Sequence, residues 1–240
     1  MRIAHISDLH LSGKHFVREW GENLIKILNS SNLDLIVITG DLTDDGYMHE
    51  YEIASKFVDR IDAEKLIIPG NHDARNKGYE IFEELFGNRN KFYENDEIVF
   101  LGMDSSEPDL DEGHIGRENY KIIKNKLKGK KIKIFALHHH IIPIPGTGRE
   151  RNILIDAGDV LKICIENKID FVLSGHKHLP WIWKLYDTHF ITTGTACSNR
   201  LKGKSYPSFN IIEISENIII DEINVKNEKK RKIAEIENIK

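Results

Sequence analysis

Five short, apolar, β-branched runs in this 240-residue chain each end on a carboxylate, a carboxamide or an imidazole. They read RIAHISDLH, LIVITGD, LIIPGNHD, IFALH and VLSGHKH. Beyond their ends stand Asp8 and His10, Asp41, the trio Asn71, His72 and Asp73, then His138, and finally His176 and His178. Runs this short and this continuously hydrophobic suit strands buried on both faces. A sixth, EIVFLGM at 97–103, has the same character, and the intervening stretches carry helical spacing: Phe16, Trp20, Leu24, Ile27 and Leu28 repeat near 3.6 residues, with similar patterns at 48–61, 78–86, 117–127 and 157–167. Strands alternating with helices predict a layered α/β core. In open α/β sheets a ligand site forms beyond the carboxyl ends of the strands, so groups far apart in sequence can converge there. Glycines at 40, 70 and 175 let the backbone bend sharply just before three of them.

After about residue 180 the rhythm changes to closely spaced strands, WIWKLY, THFITTG, SYPSFNIIEIS and NIIIDEINV, which read as antiparallel. Trp181 and Trp183 share one face there, as core or sheet-face packing. Residues 1–225 are expected to form one domain, with 226–240, KNEKKRKIAEIENIK, as a charged tail or terminal helix. The stretches 104–116 and 141–152 read as loops. No apolar run approaches the ~20 residues that span a bilayer, so membrane insertion is not expected. The start, MRIAHISDLH, runs directly into a strand without the pattern of a secretory leader, which predicts a cytoplasmic protein. A net charge of −4 argues against broad nucleic-acid binding. Cys164 and Cys197 lack CxxC spacing and read as buried thiols.

Three consecutive histidines, His138, His139 and His140, close the IFAL run. Alternation along an extended strand puts His138 and His140 on one face, and position favours His138, the first residue past the apolar segment. Taken in order, DLH, GDLTDDG, GNHD, LHHH and GHKH resemble the calcineurin-like metallophosphoesterase superfamily over residues 8–178. The resemblance implies a four-layer α-β-β-α sandwich of two mixed sheets flanked by helices, with a dinuclear metal centre at the strand ends. It implies one ion held by Asp8, His10, Asp41 and His178, and another by Asp41, Asn71, His138 and His176, with Asp41 bridging. His72 resembles the family's additional histidine, which faces the leaving group rather than a metal; Asp73 is expected to orient it.

Oxygen and imidazole donors without thiolate suit Mn, Fe, Co, Ni or Zn, as divalent or mixed-valence pairs. Two such ions can acidify a bridging water to hydroxide for in-line attack on phosphorus. Arg75, His139, His140 and Arg149 are substrate-side candidates, and Arg151, Asn199 and Arg200 share with Arg75 and Arg149 the choice between gripping phosphate oxygens and standing as solvated surface groups, the commoner role of such residues. Asp44 reads as a turn cap or as a buttress for a bound group. The remaining histidines, His5, His15, His49, His114 and His189, read as structural or surface residues. The HHHIIPIP segment is similar to the class III cyclic-nucleotide and glycerophosphodiester branch, with a plain HHxP stretched here to HHHIIP. The expected activity is therefore phosphodiester hydrolysis of a small-molecule or nucleotide substrate by a monomer or homodimer. A DNA-repair nuclease of the same superfamily and a nonenzymatic scaffold of the same fold are the alternatives.

Overall fold

The computed structural model describes residues 1–147 and 152–237. Its first sheet is built around three parallel strands, β1 (Arg2–Ile6), β2 (Leu35–Thr39) and β3 (Glu64–Ile68). The second contains β4 (Lys91–Glu94), β5 (Ile98–Gly102), β6 (Ile132–Ala136), β7 (Phe171–Ser174), β8 (Trp181–Leu185) and β9 (Thr188–Thr192) in the spatial order β4-β5-β6-β7-β9-β8. The antiparallel strands β10 (Ser208–Ile214), β11 (Asn217–Asn224) and β12 (Lys230–Glu237) return to extend the first sheet beside β1, giving β12-β11-β10-β1-β2-β3. Both sheets are mixed: β5, β6, β7 and β9 run parallel, and β4 and β8 are antiparallel edges.

Period-2 alternation sorts the apolar residues into layers. Ala4 and Ile6 of β1, with Ile36 and Ile38 of β2, face the helices α1 (Arg18–Ser30), α2 (Met48–Val58) and α3 (Gly78–Phe86), packing on Leu24, Tyr51 and Phe82. Ile3, Leu35 and Val37 point the other way and meet Phe100, Ile134, Leu173 and Ile191 between the sheets. On the far side Val99, Phe135 and Val172 pack on α4 (Tyr120–Lys126) and α5 (Ala157–Glu166). The four-layer α-β-β-α expectation holds. Among the described residues, no helix is long and apolar enough to cross a membrane. Both cysteines are buried and unbridged.

Three local readings are corrected. The charged segment after 226 is neither tail nor helix between 230 and 237: it is β12, paired with β11. The reason is electrostatic. β11 buries Asp221 and Glu222, and β12 brings Lys230 within 2.7 Å of Asp221 and Arg231 onto Glu222. The strand KFYE (β4) escaped the pattern because its four residues are charged at both ends and pair only with β5. β9 is not purely antiparallel; it sits inside the sheet, parallel to β7. Trp181 and Trp183 do share a sheet face, on the edge strand β8, where each keeps about a third of its surface exposed.

Candidate metal centre

The turns that follow β1, β2 and β7 hold their side chains in an unusual backbone conformation. Asp8 (φ 54°), His10 (φ 45°), Asp41 (φ 56°), His176 (φ 70°) and His178 (φ 54°) all lie in the left-handed region. That region costs a non-glycine residue on the order of 1–3 kcal/mol, and such strain concentrates at functional sites. Two of the turns are pressed together at Gly40 and Gly70. A Cβ on Gly40, itself at φ 89°, would stand 2.4 Å from the Gly70 nitrogen, and a Cβ on Gly70 would stand 2.6 Å from the Asp41 nitrogen. Only glycine permits this approach, which brings Asp41 and Asn71 to a common centre.

There the five strand ends meet. Donor atoms of Asp8, His10, Asp41 and His178 all lie within 4.8 Å of one another, every residue buried. The His178 Nε2 is 3.2 Å from an Asp8 oxygen and 3.4 Å from the His10 Nε2; the His10 Nε2 is 3.8 Å from an Asp41 oxygen. Around the other side of Asp41, the His138 Nε2 stands 3.4 Å from the same oxygen, 3.1 Å from the Asn71 Oδ1 and 3.3 Å from the His176 Nδ1. The Asn71 Oδ1 is also 3.0 Å from the His176 Nδ1, while its amide nitrogen donates to Asp111 at 3.2 Å and so turns the oxygen inward. The seven residues named from the strand ends thus form two lobes sharing Asp41.

The hydrogen bonds on the outer side of the imidazoles decide what the lobes can hold. The Nδ1–H of His138 donates to the Thr39 carbonyl (2.6 Å), that of His178 to the Arg200 carbonyl (2.8 Å) and that of His10 to the Asp44 carboxylate (3.0 Å). Each ring, when neutral, therefore turns an Nε2 lone pair toward the Asp8 and Asp41 carboxylates. Lone pairs facing anions in a buried space require a cation between them. The titration of these groups shows the same demand. Burial opposes the charge on Asp41, yet His138, His72 and His10 hold its carboxyl well below the usual carboxylate range. Burial alone would lower His138, but the Asp41 carboxylate, with Asp8 and the Thr39 carbonyl, raises it to about 9. The residues present fit a pair of borderline transition ions, with oxygen and nitrogen donors only.

His72 stands beside the first lobe, its ring edge-on to His10 with centroids 4.9 Å apart. Its backbone N–H donates to Asp41 at 3.0 Å and its Nδ1 lies 2.6 Å from the Asp44 carbonyl oxygen. The short bond to a carbonyl places the proton on Nδ1 and leaves Nε2 directed at the site. The expected partnership with Asp73 is corrected here. The Asp73 carboxylate is fully buried and accepts from the backbone N–H groups of Gly70, Leu42 and Thr43 and from the Thr43 hydroxyl, at 2.9–3.2 Å. It ties the β2 and β3 turns together, and the Asp44 carbonyl orients His72 instead. Burial and the neighbouring Asp41 push the Asp73 carboxyl up to about 6 against those backbone bonds.

Other sequence candidates separate. His139 has both ring nitrogens occupied, Nδ1 by the Ser105 hydroxyl (2.9 Å) and Nε2 by the Asp111 carbonyl (3.1 Å). Burial first, then His138, drops it to about 3, so it is a neutral post that holds the 104–116 loop and has no nitrogen left for a substrate. His140 is equally buried and stacks on His176 at 5.8 Å, packing behind that side chain. Arg75 is spent on Asp111 (2.7 Å), Asp45 (3.3 Å) and the Asp44 carbonyl (3.1 Å). Arg149 and Arg151 lie outside the described residues. What the sequence left unresolved is Arg200, whose Nη1 is 3.4 Å from the His72 Nε2 and 3.5 Å from an Asp44 oxygen. It comes from the loop after β9, which carries no strand-end pattern to mark it.

A four-layer sandwich with carboxylates and imidazoles gathered at the ends of both sheets defines a metallophosphoesterase fold. A sequence model of the calcineurin-like phosphoesterases matches residues 1–180. The chain is 26% identical over 203 residues to a probable cyclic nucleotide phosphodiesterase of Xenorhabdus bovienii, covering 76% of this chain and 81% of that one. It is 30% identical over 161 residues to a probable glycerophosphodiester phosphodiesterase of Arcobacter nitrofigilis, covering 60% and 59%. Among solved structures, the purple acid phosphatase of yellow lupin seeds superposes with a TM-score of 0.77 at 14% identity, over 97% of this chain and 52% of that longer one. The chain belongs to the calcineurin-like phosphoesterase family, and it is a phosphoric ester hydrolase.

Proposed function

We propose that this enzyme is a phosphodiesterase for small-molecule or nucleotide diesters, working with two transition ions from the set Mn, Fe, Co, Ni and Zn. Asp8, His10, Asp41 and His178 would hold one ion, and Asp41, Asn71, His138 and His176 the other. The observation that carries the reading is the outward Nδ1 bonding of His10, His138 and His178, which commits three Nε2 lone pairs to one pair of buried carboxylates. Such ions, when bound, supply an acidified water and offset charge on the phosphoryl group.

The protein's own groups do the rest. The Asp44 carbonyl holds Nδ1–H of His72, so Nε2 faces the site, and the ring protonated at both nitrogens would pass its Nε2 proton to the leaving oxygen and keep Nδ1–H. Among the described residues, Asp44, Asp45 and Asp111 stand against Arg75 and Arg200 beside the centre. The chain's net charge of −4 disfavours a polyanion such as DNA. The names of the Xenorhabdus and Arcobacter relatives are consistent with a diester substrate. Two unbridged thiols support a reducing, cytoplasmic location.

The test is hydrolysis by enzyme reconstituted separately with each metal, comparing bis(p-nitrophenyl) phosphate, p-nitrophenyl phosphate, 3′,5′-cyclic AMP and single- and double-stranded DNA. Diester turnover well above monoester turnover is expected. Inactivity on all of them with every metal removes the enzyme assignment, and preferential DNA cleavage replaces it with a nuclease.

A further inference from the structure

Among the described residues two arginines, Arg75 and Arg200, reach the rim of the centre, and they differ in what they have left to offer. Arg75 is neutralised twice over, by Asp111 and Asp45, and its remaining contacts go to the Asp44 carbonyl and the His72 ring. Arg200 uses only one nitrogen. Its Nη1 sits among His10 (3.4 and 3.5 Å to the ring nitrogens), the His72 Nε2 (3.4 Å) and the Asp44 Oδ1 (3.5 Å), and among the described residues its Nε and Nη2 make no hydrogen bond. About a third of the side chain, 32%, is open to solvent. We propose that Arg200 is the residue that grips a non-bridging phosphoryl oxygen of the substrate, a role resting on the phosphodiesterase reading above.

Placement and stiffness both support it. Nη1 touches a group assigned to the metal centre, His10, and the group assigned to carry the proton, His72. A phosphoryl group seated between those two lies within reach of the guanidinium, which presents three uncommitted N–H donors in a fixed plane. The backbone of the same residue is anchored: the Arg200 carbonyl accepts from the His178 Nδ1 at 2.8 Å and its N–H donates to the Ser198 Oγ at 3.2 Å. The base of the side chain is thereby held in register with the metal ligand. His10, Asp44 and His72 also gather their donor atoms within 4.8 Å, and the guanidinium supplies the positive charge that cluster calls for.

The experiment compares wild type, Arg200→Ala and Arg200→Lys, each loaded with Mn²⁺ and assayed for metal content. Equilibrium binding of inorganic phosphate is measured by calorimetry, alongside its competitive inhibition of bis(p-nitrophenyl) phosphate hydrolysis. Losing a charge-assisted contact should weaken phosphate binding by roughly 10- to 100-fold in R200A, with kcat/KM falling in step and R200K recovering part of both. Metal content should stay at the wild-type level, because alanine keeps the carbonyl that orients His178. An active wild type whose R200A variant binds phosphate equally well overturns this proposal alone, as does an R200A variant that loses its metal together with its phosphate. A wild-type enzyme inert on every ester instead removes the phosphodiesterase reading, and this proposal with it.

Discussion

The His138 ring is clamped between Thr39 and Asp41: its Nδ1–H donates to the Thr39 carbonyl at 2.6 Å while its Nε2 faces an Asp41 oxygen at 3.4 Å. The carbonyl belongs to the last residue of β2, and Asp41 follows two residues later, so one strand end both orients the imidazole and supplies its counter-charge. His140, two residues further on, stacks on His176. His138→Ala should therefore lose about one bound ion per chain, and His140→Ala should keep both. Metal analysis after equilibrium dialysis decides between them, and equal losses in the two variants would return the assignment to an open choice.

His72 and Asp73 are adjacent in sequence but should fail in different ways. Removing the His72 imidazole takes away the group whose Nε2 faces the site and none of the seven proposed ligands. His72→Ala should retain metal and thermal stability while kcat drops by roughly 10²–10⁴-fold, the usual worth of a positioned acid. Near-normal turnover in a metal-replete H72A enzyme would take His72 out of the mechanism.

Asp73→Asn should damage stability. The carboxylate satisfies three backbone N–H groups and a hydroxyl, and an amide presents its NH₂ to some of those donors. With bonds to a buried charged acceptor worth about 1.5–3 kcal/mol each, a loss of roughly 2–4 kcal/mol in unfolding free energy is expected. Urea titration measures it. The folded fraction should keep its diesterase rate to within a few-fold; a stable but inactive D73N enzyme would restore a chemical role to this residue.

What was legible in the sequence follows from which part of the chain does the work. β1, β2, β5, β6, β7 and the last three residues of β3 are buried and announce themselves as apolar runs, and the proposed ligands, two to four residues beyond β1, β2, β3, β6 and β7, were found by position. β4 and β12 were not, because these two edge strands carry proportionally more charge than β3 or β8, and the basic residues of β12 pair with two acids that β11 buries. Within the site, the misreading of Asp73 has a different origin. The group that orients His72 is the carbonyl of Asp44, and a main-chain atom leaves no trace in residue identity. Arg200 was ambiguous for a related reason: only the folded loop shows that Arg75 is paired on several sides and Arg200 is not.

The last prediction concerns His5, which lies between the sheets, fully buried, with Nε2 at 3.0 Å from the Thr39 hydroxyl. Burial drives its pKa from 6.5 down to about 3, against a smaller opposing pull from Asp8. Its ring is therefore neutral in the fold and protonates near 6.5 once the chain unfolds. The unfolded state binds the extra proton, so the contribution of His5 is complete above about pH 6.5 and is lost progressively as pH falls toward 3. At ~1.4 kcal/mol per pH unit the loss between pH 6.5 and 5 is about 2 kcal/mol. His5→Asn keeps a polar partner for Thr39 but cannot take up that proton. Urea unfolding at pH 7.5 and pH 5, with chelator present throughout so that metal binding does not enter, should show wild type losing about 2 kcal/mol more than H5N. Other buried histidines such as His139 titrate in both proteins and cancel in the comparison. Parallel pH dependence in the two would mean that His5 is protonated to the same extent in the folded and unfolded chain, and would overturn this reading.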